Sequence, residues 1–189
     1  MILGITGKSG VGKSTLATQL TKHGYDFHII HIDDISHKAM ESDIIKNKLL
    51  DIFGEAIIQN GVINRKYLGD LVFTNRHLYD KISNDIWSKT KELIDDEINK
   101  HDNIILDWIL LPHSHYWKIC DIKILITADE DDRISHVLKR DNISSDYLKK
   151  RDSAGISYTD IDFDIKIHNH YDTGGIPCDI IMEQIMLQA

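Results

Sequence analysis

Gly7-Lys-Ser-Gly-Val-Gly-Lys-Ser14 matches the G-x-x-x-x-G-K-S pattern of a phosphate-binding loop, or P-loop. Its glycines have no Cβ, so the chain can turn tightly and direct several backbone N–H groups inward. Those groups can hold a β-phosphate at the positive end of the following helix. Lys13 is predicted to contact the β- and γ-phosphates, and the Ser14 hydroxyl to bind Mg²⁺. The motif therefore predicts a nucleoside triphosphate as ligand.

The residues on either side provide the setting that this motif requires. Met1–Thr6 is a short apolar run with the length of a buried strand. Residues 14–22 place Leu16 and Leu20 on one helical face, and a helix C-cap is predicted at Gly24. Strand, glycine loop and helix in this order make a chance glycine turn the weaker interpretation.

The rest of the chain alternates between strand and helix patterns. Apolar runs predict strands at 27–32, 103–107 and 122–127, with late candidate strands at 165–168 and 179–182. Helical patterns cover most of 35–100, with breaks at Gly54 and Gly61, and recur at 129–141 and 146–151. This alternation predicts an α/β fold with a mainly parallel sheet.

Composition and charge narrow the class of protein. The chain of 189 residues is 42% hydrophobic and has two prolines, which predicts a single domain without an interdomain linker. A net charge of −8 disfavours a general nucleic-acid binder, because such proteins usually carry an extended basic face. We expect a small-molecule substrate, and neither nucleic acid nor membrane as a partner.

The predicted location is the cytoplasm. The longest apolar runs have about the length of a strand, far below the ~20 residues of a membrane helix. No basic-then-apolar segment precedes the P-loop. Cys120 and Cys178 lack the spacing of metal ligands, so we expect free thiols. Two His-x-His pairs, 113–115 and 168–170, lack a structural-zinc ligand set and are predicted to be solvated surface histidines.

Two acids are predicted at the carboxyl ends of strands, where ligands bind in open α/β sheets. Asp33 follows the second strand, and a carboxylate facing the γ-phosphate there can accept the proton of an acceptor hydroxyl. A helix N-cap or turn role is the alternative for Asp33. Asp107 ends the third strand as a Walker-B acid does and can hold the water shell of Mg²⁺, with a purely structural role equally open.

A cationic segment begins at Lys139-Arg140 and resumes, after a predicted turn, at Lys149-Lys150-Arg151. Phosphoryl transfer spreads negative charge over the equatorial oxygens, so guanidinium groups on a mobile flap can stabilise it and exclude water. Arg140 and Arg151 are assigned to such a lid, with Arg140 in a catalytic role. Lys149 and Lys150 are interpreted as part of a solvated helix face.

The chain resembles the dephospho-CoA kinase family along most of its length. The similarity begins with Ile5–Thr15 and continues at His31–His37, which resembles the family's D-A-D-x-I-A-R and places Asp33 on its catalytic aspartate. Phe53-Gly54 and Gly61–Leu68 resemble the F-G and G-x-L-x-R-x-x-L elements in order and at near-family spacing. Val72-Phe73 then resembles the V-F element.

Two later segments extend the resemblance. Arg140-Asp141 resembles the lid arginine, and Arg151 the second arginine of the family. Asp164–Asn169 is similar to the A-D-x-V-I-x-N segment that borders the adenine site. The nucleotide-binding residues implied are Gly10, Val11, Gly12, Lys13, Ser14, Thr15, Arg140 and Asn169.

The resemblance implies transfer of the ATP γ-phosphoryl group to the ribose 3′-hydroxyl of dephospho-CoA, the last step of coenzyme A synthesis, with Mg²⁺. Lys13, Asp33 and Arg140 would be catalytic, and Asp33, Arg65 and Arg151 would contact the acceptor. For Arg65, a surface position at a helix start is the alternative. The implied architecture is a P-loop kinase three-layer sandwich. Its parts would be a core of about 1–33, 101–139 and 160–189, a helical substrate region of about 34–100 and a lid of about 140–159.

Five elements depart from the family pattern. Lys8 replaces a glycine, His37 an arginine, Ser83-Asn84 a His-Pro pair and Gly155 the lid glutamine, while Ile109–His113 lacks the glutamate of Pro-Leu-Leu-Phe-Glu. Most lie on the acceptor side or in the lid. A nucleoside or deoxynucleoside monophosphate kinase of related fold therefore stays open as an alternative. So does a non-catalytic or switch-like protein that binds a nucleoside triphosphate.

Overall fold

The computed structural model describes residues 1–22, 26–73, 76–153, 157–171 and 176–188. The chain divides into two compact units, one of Met1–Ile30 with His101–Ala189 and one of His31–Lys100. The first unit carries the P-loop and the main sheet. The second is largely helical. The predicted Gly24 C-cap and Gly155 lie outside the described residues.

Strands and helices alternate along the first unit, and the second unit is mostly helical. The strands are β1 (Ile2–Thr6), β2 (His28–His31), β3 (Ile58–Gln59), β4 (Val62–Ile63), β5 (Ile104–Asp107), β6 (Ile122–Ala128) and β7 (Ile165–Asn169). The α-helices are α1 (Lys13–Lys22), α2 (Ile32–Glu41), α3 (Asp43–Phe53), α4 (Arg65–Phe73), α5 (Arg76–Ile98), α6 (Glu130–Asp141), α7 (Ser145–Ser153) and α8 (Cys178–Gln188). Short 3₁₀ turns occupy Glu55–Ile57, Leu111–His113 and His115–Ile119.

The main sheet has five strands in the order β2-β5-β1-β6-β7. β1 pairs in parallel with β5 and β6, and β6 pairs in parallel with β7. Helices cover both sides of the sheet, which confirms the predicted α/β fold with a mainly parallel sheet. Parallel strands end at the same edge of a sheet, so the P-loop, Asp107 and Asn169 lie at one edge of the main sheet, after β1 and at the ends of β5 and β7.

The core of the first unit lies between β1 and two helices. Leu3 and Ile5 are fully buried and belong to one cluster with Leu16 and Leu20 of α1 and with side chains of α8. Side chains also pack closely against the opposite face of β1, where a Cβ at Gly4 would lie 2.7 Å from the Cys120 sulfur. Burial on both faces explains why this strand reads as a continuous apolar run.

The predicted strand at 179–182 is wrong, because these residues lie in α8. The buried residues of this helix are Cys178, Ile181, Met182 and Ile185, a spacing of three or four residues along one face. The run Ile180–Met182 is too short to distinguish a strand from part of a helix. The longer pattern, extended to Ile185, identifies the helix.

The second unit contains α2 to α5 and a short antiparallel hairpin of β3 and β4. α3 ends before Gly54, whose φ of 72° fits the predicted break. The hairpin turns at Asn60 and Gly61, with φ of 53° and 82°, and Asn-Gly is the preferred pair for a two-residue turn of this kind. The prediction of helix over most of 35–100 therefore missed two strands of two residues each.

α5, with 23 residues, is the longest helix of the second unit and carries surface ion pairs such as Lys89 with Glu92. In the described ranges, no helix combines the length and the apolar character needed to cross a membrane. The core of this unit is formed by buried aliphatic side chains from several elements: Ile45, Leu49, Ile57, Ile63, Leu68, Val72 and Ile82.

The packing of α8 yields a stability prediction. Ile185→Ala should lower the free energy of unfolding by roughly 2–5 kcal/mol, because Ile185 is fully buried in the core of the first unit. Leu187→Ala on the same helix is the matched control, since Leu187 is 81% exposed, and should change it by less than about 0.5 kcal/mol. Urea unfolding measures both. Equal effects of the two substitutions would contradict the packing of α8.

Candidate nucleotide site

The P-loop connects the end of β1 to the first residue of α1, as the motif requires. Gly7 and Gly12 adopt φ of 143° and 100°, a region that residues with a Cβ rarely enter. A Cβ at Gly7 would overlap the carbonyl oxygen of Ile126, and one at Gly12 would lie 2.8 Å from Asn169 Nδ2. The loop therefore needs glycine at both positions for its path and for its close contacts with neighbouring strands.

Four consecutive carbonyl oxygens of the loop, those of residues 8–11, each accept a hydrogen bond from a side chain. The donors are Lys13 to residue 8 at 3.2 Å, Arg133 to residue 9 at 3.1 Å, the Tyr171 hydroxyl to residue 10, and Asn169 to residue 11 at 3.0 Å. Side chains thus hold the carbonyl groups of this stretch. The P-loop motif assigns the backbone N–H groups of this stretch to a phosphate, although the Val11 N–H donates to the Lys8 carbonyl at 3.5 Å in this structure.

Ser14 and Asp107, the two predicted magnesium residues, lie together. The Ser14 hydroxyl donates a hydrogen bond of 2.8 Å to Asp107 Oδ2. Asp107 is 6% exposed and ends β5, where it pairs in register with Ile5 of β1. Thr15 follows on the exposed side of α1. The parallel pairing of β1 and β5 thus brings a Walker-B-like carboxylate next to the P-loop serine.

Asn169 supports the P-loop from the end of β7. Its side chain is 5% exposed, and its amide nitrogen donates to the Val11 carbonyl. Its amide oxygen is buried and has no hydrogen-bond partner among the described residues. A buried acceptor without a donor is costly, so this oxygen is suited to an incoming donor group.

Arg140 lies near the end of α6 and reaches the P-loop. Its guanidinium donates to Asp141 Oδ1 at 2.6 Å and Oδ2 at 3.0 Å, and to Ser9 Oγ at 3.4 Å. The hydrogen bonds with Asp141 raise the pKa of Arg140 above its ordinary value. Because its side chain is 53% exposed, the guanidinium is accessible to a phosphate at the loop.

Arg133 was missed by the sequence analysis. It is 1% exposed, and besides the Ser9 carbonyl it binds Glu130 at the start of α6 and Asp152 of α7. Burial opposes its charge, but hydrogen bonds with Glu130 and Asp152 raise the pKa of Arg133 overall. The sequence held one signal: Arg133 precedes the buried Val137 by four residues and so shares its helical face.

Tyr171 was also missed, because a lone tyrosine after a strand has no motif around it. Its hydroxyl donates to the Gly10 carbonyl, and its ring stacks on His136 of α6 with centroids 5.2 Å apart. Burial raises the pKa of Tyr171, which keeps the hydroxyl protonated as a donor. Tyr171 therefore supports the loop from the side of β7.

Asp33 belongs to the second unit and does not follow a strand directly, which corrects the sequence prediction. β2 ends at His31 and α2 begins at Ile32, so Asp33 and Asp34 lie in the first turn of α2. The N-cap position is His31, so the alternative of Asp33 as N-cap is also wrong. The apolar Ile32 extends the strand pattern by one residue, although its side chain is buried as part of the helix.

Arg65 and the acids of α2 lie close enough to act on one histidine. The pKa of His37 is lowered by burial first and then by the charge of Arg65, while Asp33 and Asp34 act to raise it. His37 Nδ1 lies 4.0 Å from Asp34 Oδ1. Arg65 is exposed at the first residue of α4. Two segments that resemble acceptor-side motifs thus meet within the second unit.

The predicted lid residues are described in part. α7 covers 145–153, and Lys149 is exposed, as expected of a solvated helix face. The side chain of Arg151 lies outside the described residues, as does that of Lys150. The hydroxyl of Tyr158, at the end of the proposed lid, donates to the Ile109 carbonyl at 3.2 Å.

The fold and the site together define a class. A glycine loop between a parallel strand and a helix, with a serine hydroxyl bonded to a strand-end carboxylate, is the phosphate-binding centre of a P-loop nucleotide-binding protein.

Comparison with known proteins gives the family. The Dephospho-CoA kinase family model matches residues 1–162. The dephospho-CoA kinase of Fusobacterium nucleatum is 31% identical over 155 residues, covering 79% of this chain and 78% of that protein. That of Staphylococcus epidermidis is 30% identical over 175 residues, covering 89% and 84%. The chain belongs to the dephospho-CoA kinase family of phosphotransferases, which confirms the resemblance found in the sequence.

Solved structures show the same fold. A crystal structure of a protein from Thermus thermophilus has a TM-score of 0.83 at 21% identity and covers 100% of this chain and 97% of that one. The dephospho-CoA kinase from Campylobacter jejuni has a TM-score of 0.60 at 22% identity, with 98% and 94% covered. At these identities, the similarity is one of fold.

The buried contacts of Arg133 yield a second prediction. Arg133→Gln should lower the free energy of unfolding by about 1–3 kcal/mol, because it leaves Asp152 and the Ser9 carbonyl without their donor. It should also raise the KM for ATP, since the loop loses one of its supports. Lys139→Gln on the exposed face of α6 is the control, with a change below about 0.5 kcal/mol. Wild-type stability and KM for Arg133→Gln would contradict the supporting role.

Proposed function

We propose that this protein transfers the γ-phosphoryl group of ATP to the ribose 3′-hydroxyl of dephospho-CoA, the last step of coenzyme A biosynthesis. The observation that carries the proposal is the family match over residues 1–162. It spans both the P-loop of the first unit and the acidic and basic segments of the second. A kinase needs both, because it must bind a donor and an acceptor.

The triphosphate is proposed to bind along the P-loop. The backbone of Gly10, Val11 and Gly12 and the exposed Thr15 would contact its phosphates. Lys13 donates to a loop carbonyl at 3.2 Å, a bond that it can exchange for the β- and γ-phosphates. ATP is the donor that the family uses.

Ser14 and Asp107 fit a magnesium ion. Mg²⁺ prefers oxygen ligands and keeps several waters, and these two side chains present a hydroxyl and a buried carboxylate 2.8 Å apart. Ser14 would bind the ion directly and Asp107 through a water molecule. When bound, the ion would neutralise charge on the β- and γ-phosphoryl oxygens.

Arg140 and Asn169 are proposed to complete the donor site. Arg140 already reaches Ser9 of the loop, and its guanidinium would stabilise the negative charge that develops on the transferred group. Asn169 would border the adenine, with its unpartnered amide oxygen available to an amino group. The lid assigned to about 140–159 belongs to the same proposal.

Asp33 is proposed as the base that accepts the proton of the acceptor hydroxyl. Arg65 would hold a phosphate of the acceptor, with Arg151 of the lid as a second contact. The lowered pKa of His37 leaves its imidazole neutral at pH 7. Arg65 would thus offer a cationic group to an acceptor phosphate, and His37 would offer a neutral hydrogen-bond donor.

A cytoplasmic location is part of this proposal. Cys120 and Cys178 are buried free thiols, as predicted from their spacing. Burial raises the pKa of Cys120 to about 12, so this thiol stays protonated and unreactive at neutral pH.

The acceptor can be identified with purified protein. We expect ADP release that depends on dephospho-CoA, and no comparable rate with a panel of nucleoside and deoxynucleoside monophosphates. Lys13→Ala should remove detectable transfer and serves as the control for contaminating kinases. Turnover of a monophosphate without turnover of dephospho-CoA would assign the protein to the alternative kinase class. Slow hydrolysis that no acceptor stimulates would favour a non-catalytic or switch-like protein.

The role of Asp33 can be tested by comparing its substitution with that of Asp34. Asp33→Asn should lower kcat by roughly 10²–10⁴, the span typical of a lost general base, with the affinity for ATP nearly unchanged. Asp34→Asn removes the same charge from the same helical turn and should leave kcat within a small factor of wild type. Comparable losses in both variants would indicate an effect of helix charge and exclude Asp33 as the base.

A further inference from the structure

A cluster of metal-ligating side chains at the ends of β6 and β7 lies outside the groups assigned to donor or acceptor. Asp129, His168 and His170 lie where β6 and β7 end, and one ligand atom of each is within 4.8 Å of those of the other two. All three are exposed. The imidazole rings of His168 and His170 have centroids 4.5 Å apart.

The parallel pairing of β6 and β7 assembles this cluster. Thr127 pairs with His168 and Ala128 with Asn169, so Asp129 follows β6 beside the end of β7. His168 and His170 are two residues apart in extended chain and share one face, while Asn169 points to the other. The sequence alone showed two histidines here, and the neighbouring strand supplies the carboxylate.

The hydrogen bonds of Thr127 favour one tautomer of the neutral His168 ring. The Thr127 hydroxyl donates its single proton to the Ile167 carbonyl at 3.2 Å. Its oxygen can then only accept from His168 Nδ1, which lies 3.0 Å away. This places the proton of a neutral imidazole on Nδ1 and leaves the lone pair on Nε2. Metal-binding histidines are commonly oriented in this way through their other nitrogen.

Asp129 directs its carboxylate toward the same nitrogen. It occupies the N-cap position of α6 but makes no capping hydrogen bond with its side chain. Its Oδ1 lies 3.6 Å from His168 Nε2. A residue type that usually caps a helix has its carboxylate oxygen at the imidazole instead.

We propose that Asp129, His168 and His170 bind a transition-metal ion of the zinc class. Two imidazole nitrogens and one carboxylate oxygen are ligands that Zn²⁺ accepts, with a fourth position left for water. At Zn–N distances of about 2.0–2.1 Å, neighbouring ligand atoms lie about 3.3 Å apart. Exposed side chains can close the remaining gap by small rotations. The bound ion would tie the end of β7 to the start of α6.

The other His-x-His pair provides the contrast. His113 ends one 3₁₀ turn and His115 begins the next, and the His115 ring lies against Tyr116 with centroids 3.9 Å apart. Among the described residues, no third ligand joins them. Two pairs that are alike in sequence are therefore expected to differ in metal affinity.

The test uses the untagged chain of 189 residues and Zn²⁺ in competition with a chromophoric chelator. The H168Q–H170Q double variant should bind one equivalent of Zn²⁺ fewer than wild type. The H113Q–H115Q double variant should match wild type, and any binding elsewhere is common to both. Thr127→Val should keep the ligands but weaken affinity about tenfold, the lower end for loss of an orienting partner. Co²⁺ should give the absorption bands of a four-coordinate site with wild type. The H168Q–H170Q variant should not show these bands.

Equal Zn²⁺ stoichiometry and affinity in the two double variants would overturn the proposal. Wild-type protein provides a measurement that does not depend on the folding of a variant. Added Zn²⁺ should shift the imidazole NMR signals of His168 and His170 before those of His113 and His115. Simultaneous shifts of all four would equally exclude a specific site. Neither outcome bears on the transfer of phosphate.

Discussion

The hydrogen bond between Ser14 and Asp107 joins positions that are 93 residues apart, and the rest of the site depends on the pairing that makes it. It forms because β1 and β5 are parallel neighbours with Ile5 opposite Asp107. A shift of one residue in this pairing would turn the carboxylate to the other face of the sheet. The buried apolar faces of both strands fix the register, so the core determines the geometry of a polar site.

Side chains hold the P-loop in place through hydrogen bonds to its carbonyl groups. Each of the four carbonyls of residues 8–11 has a donor from a side chain, and these donors come from α1, α6 and the end of β7. These four bonds satisfy the backbone acceptors of the segment and hold its path. Preorganisation of this kind lowers the cost of ordering the loop when a phosphate binds. Arg133 also bonds Asp152, so the same support extends to α7.

The sequence predicted the parts of the site that depend on patterns longer than one residue. The P-loop, the strand ending in Asp107 and the parallel sheet were predicted because a motif or an apolar run marks each of them. Arg133 and Tyr171 were missed because each is one side chain whose role depends on which carbonyl lies opposite. α8 was taken for a strand because its apolar residues were read over four positions, whereas its helical spacing shows over eight.

The proposed acceptor side presents a different electrostatic problem. The chain has a net charge of −8, and two of its acids, Asp33 and Asp34, lie in the first turn of α2. A phosphate-bearing acceptor would need positive charge. His37 stands where the resembling motif has an arginine, and burial and Arg65 together lower its pKa. An arginine at this position would carry its charge at any physiological pH, whereas His37 is neutral at pH 7. Among Asp33, Asp34, His37 and Arg65, the positive charge is therefore that of Arg65. If Asp33 and Arg65 contact the acceptor as proposed, the balance between Arg65 and the two aspartates, within one unit of the chain, would set how strongly an anionic acceptor is attracted.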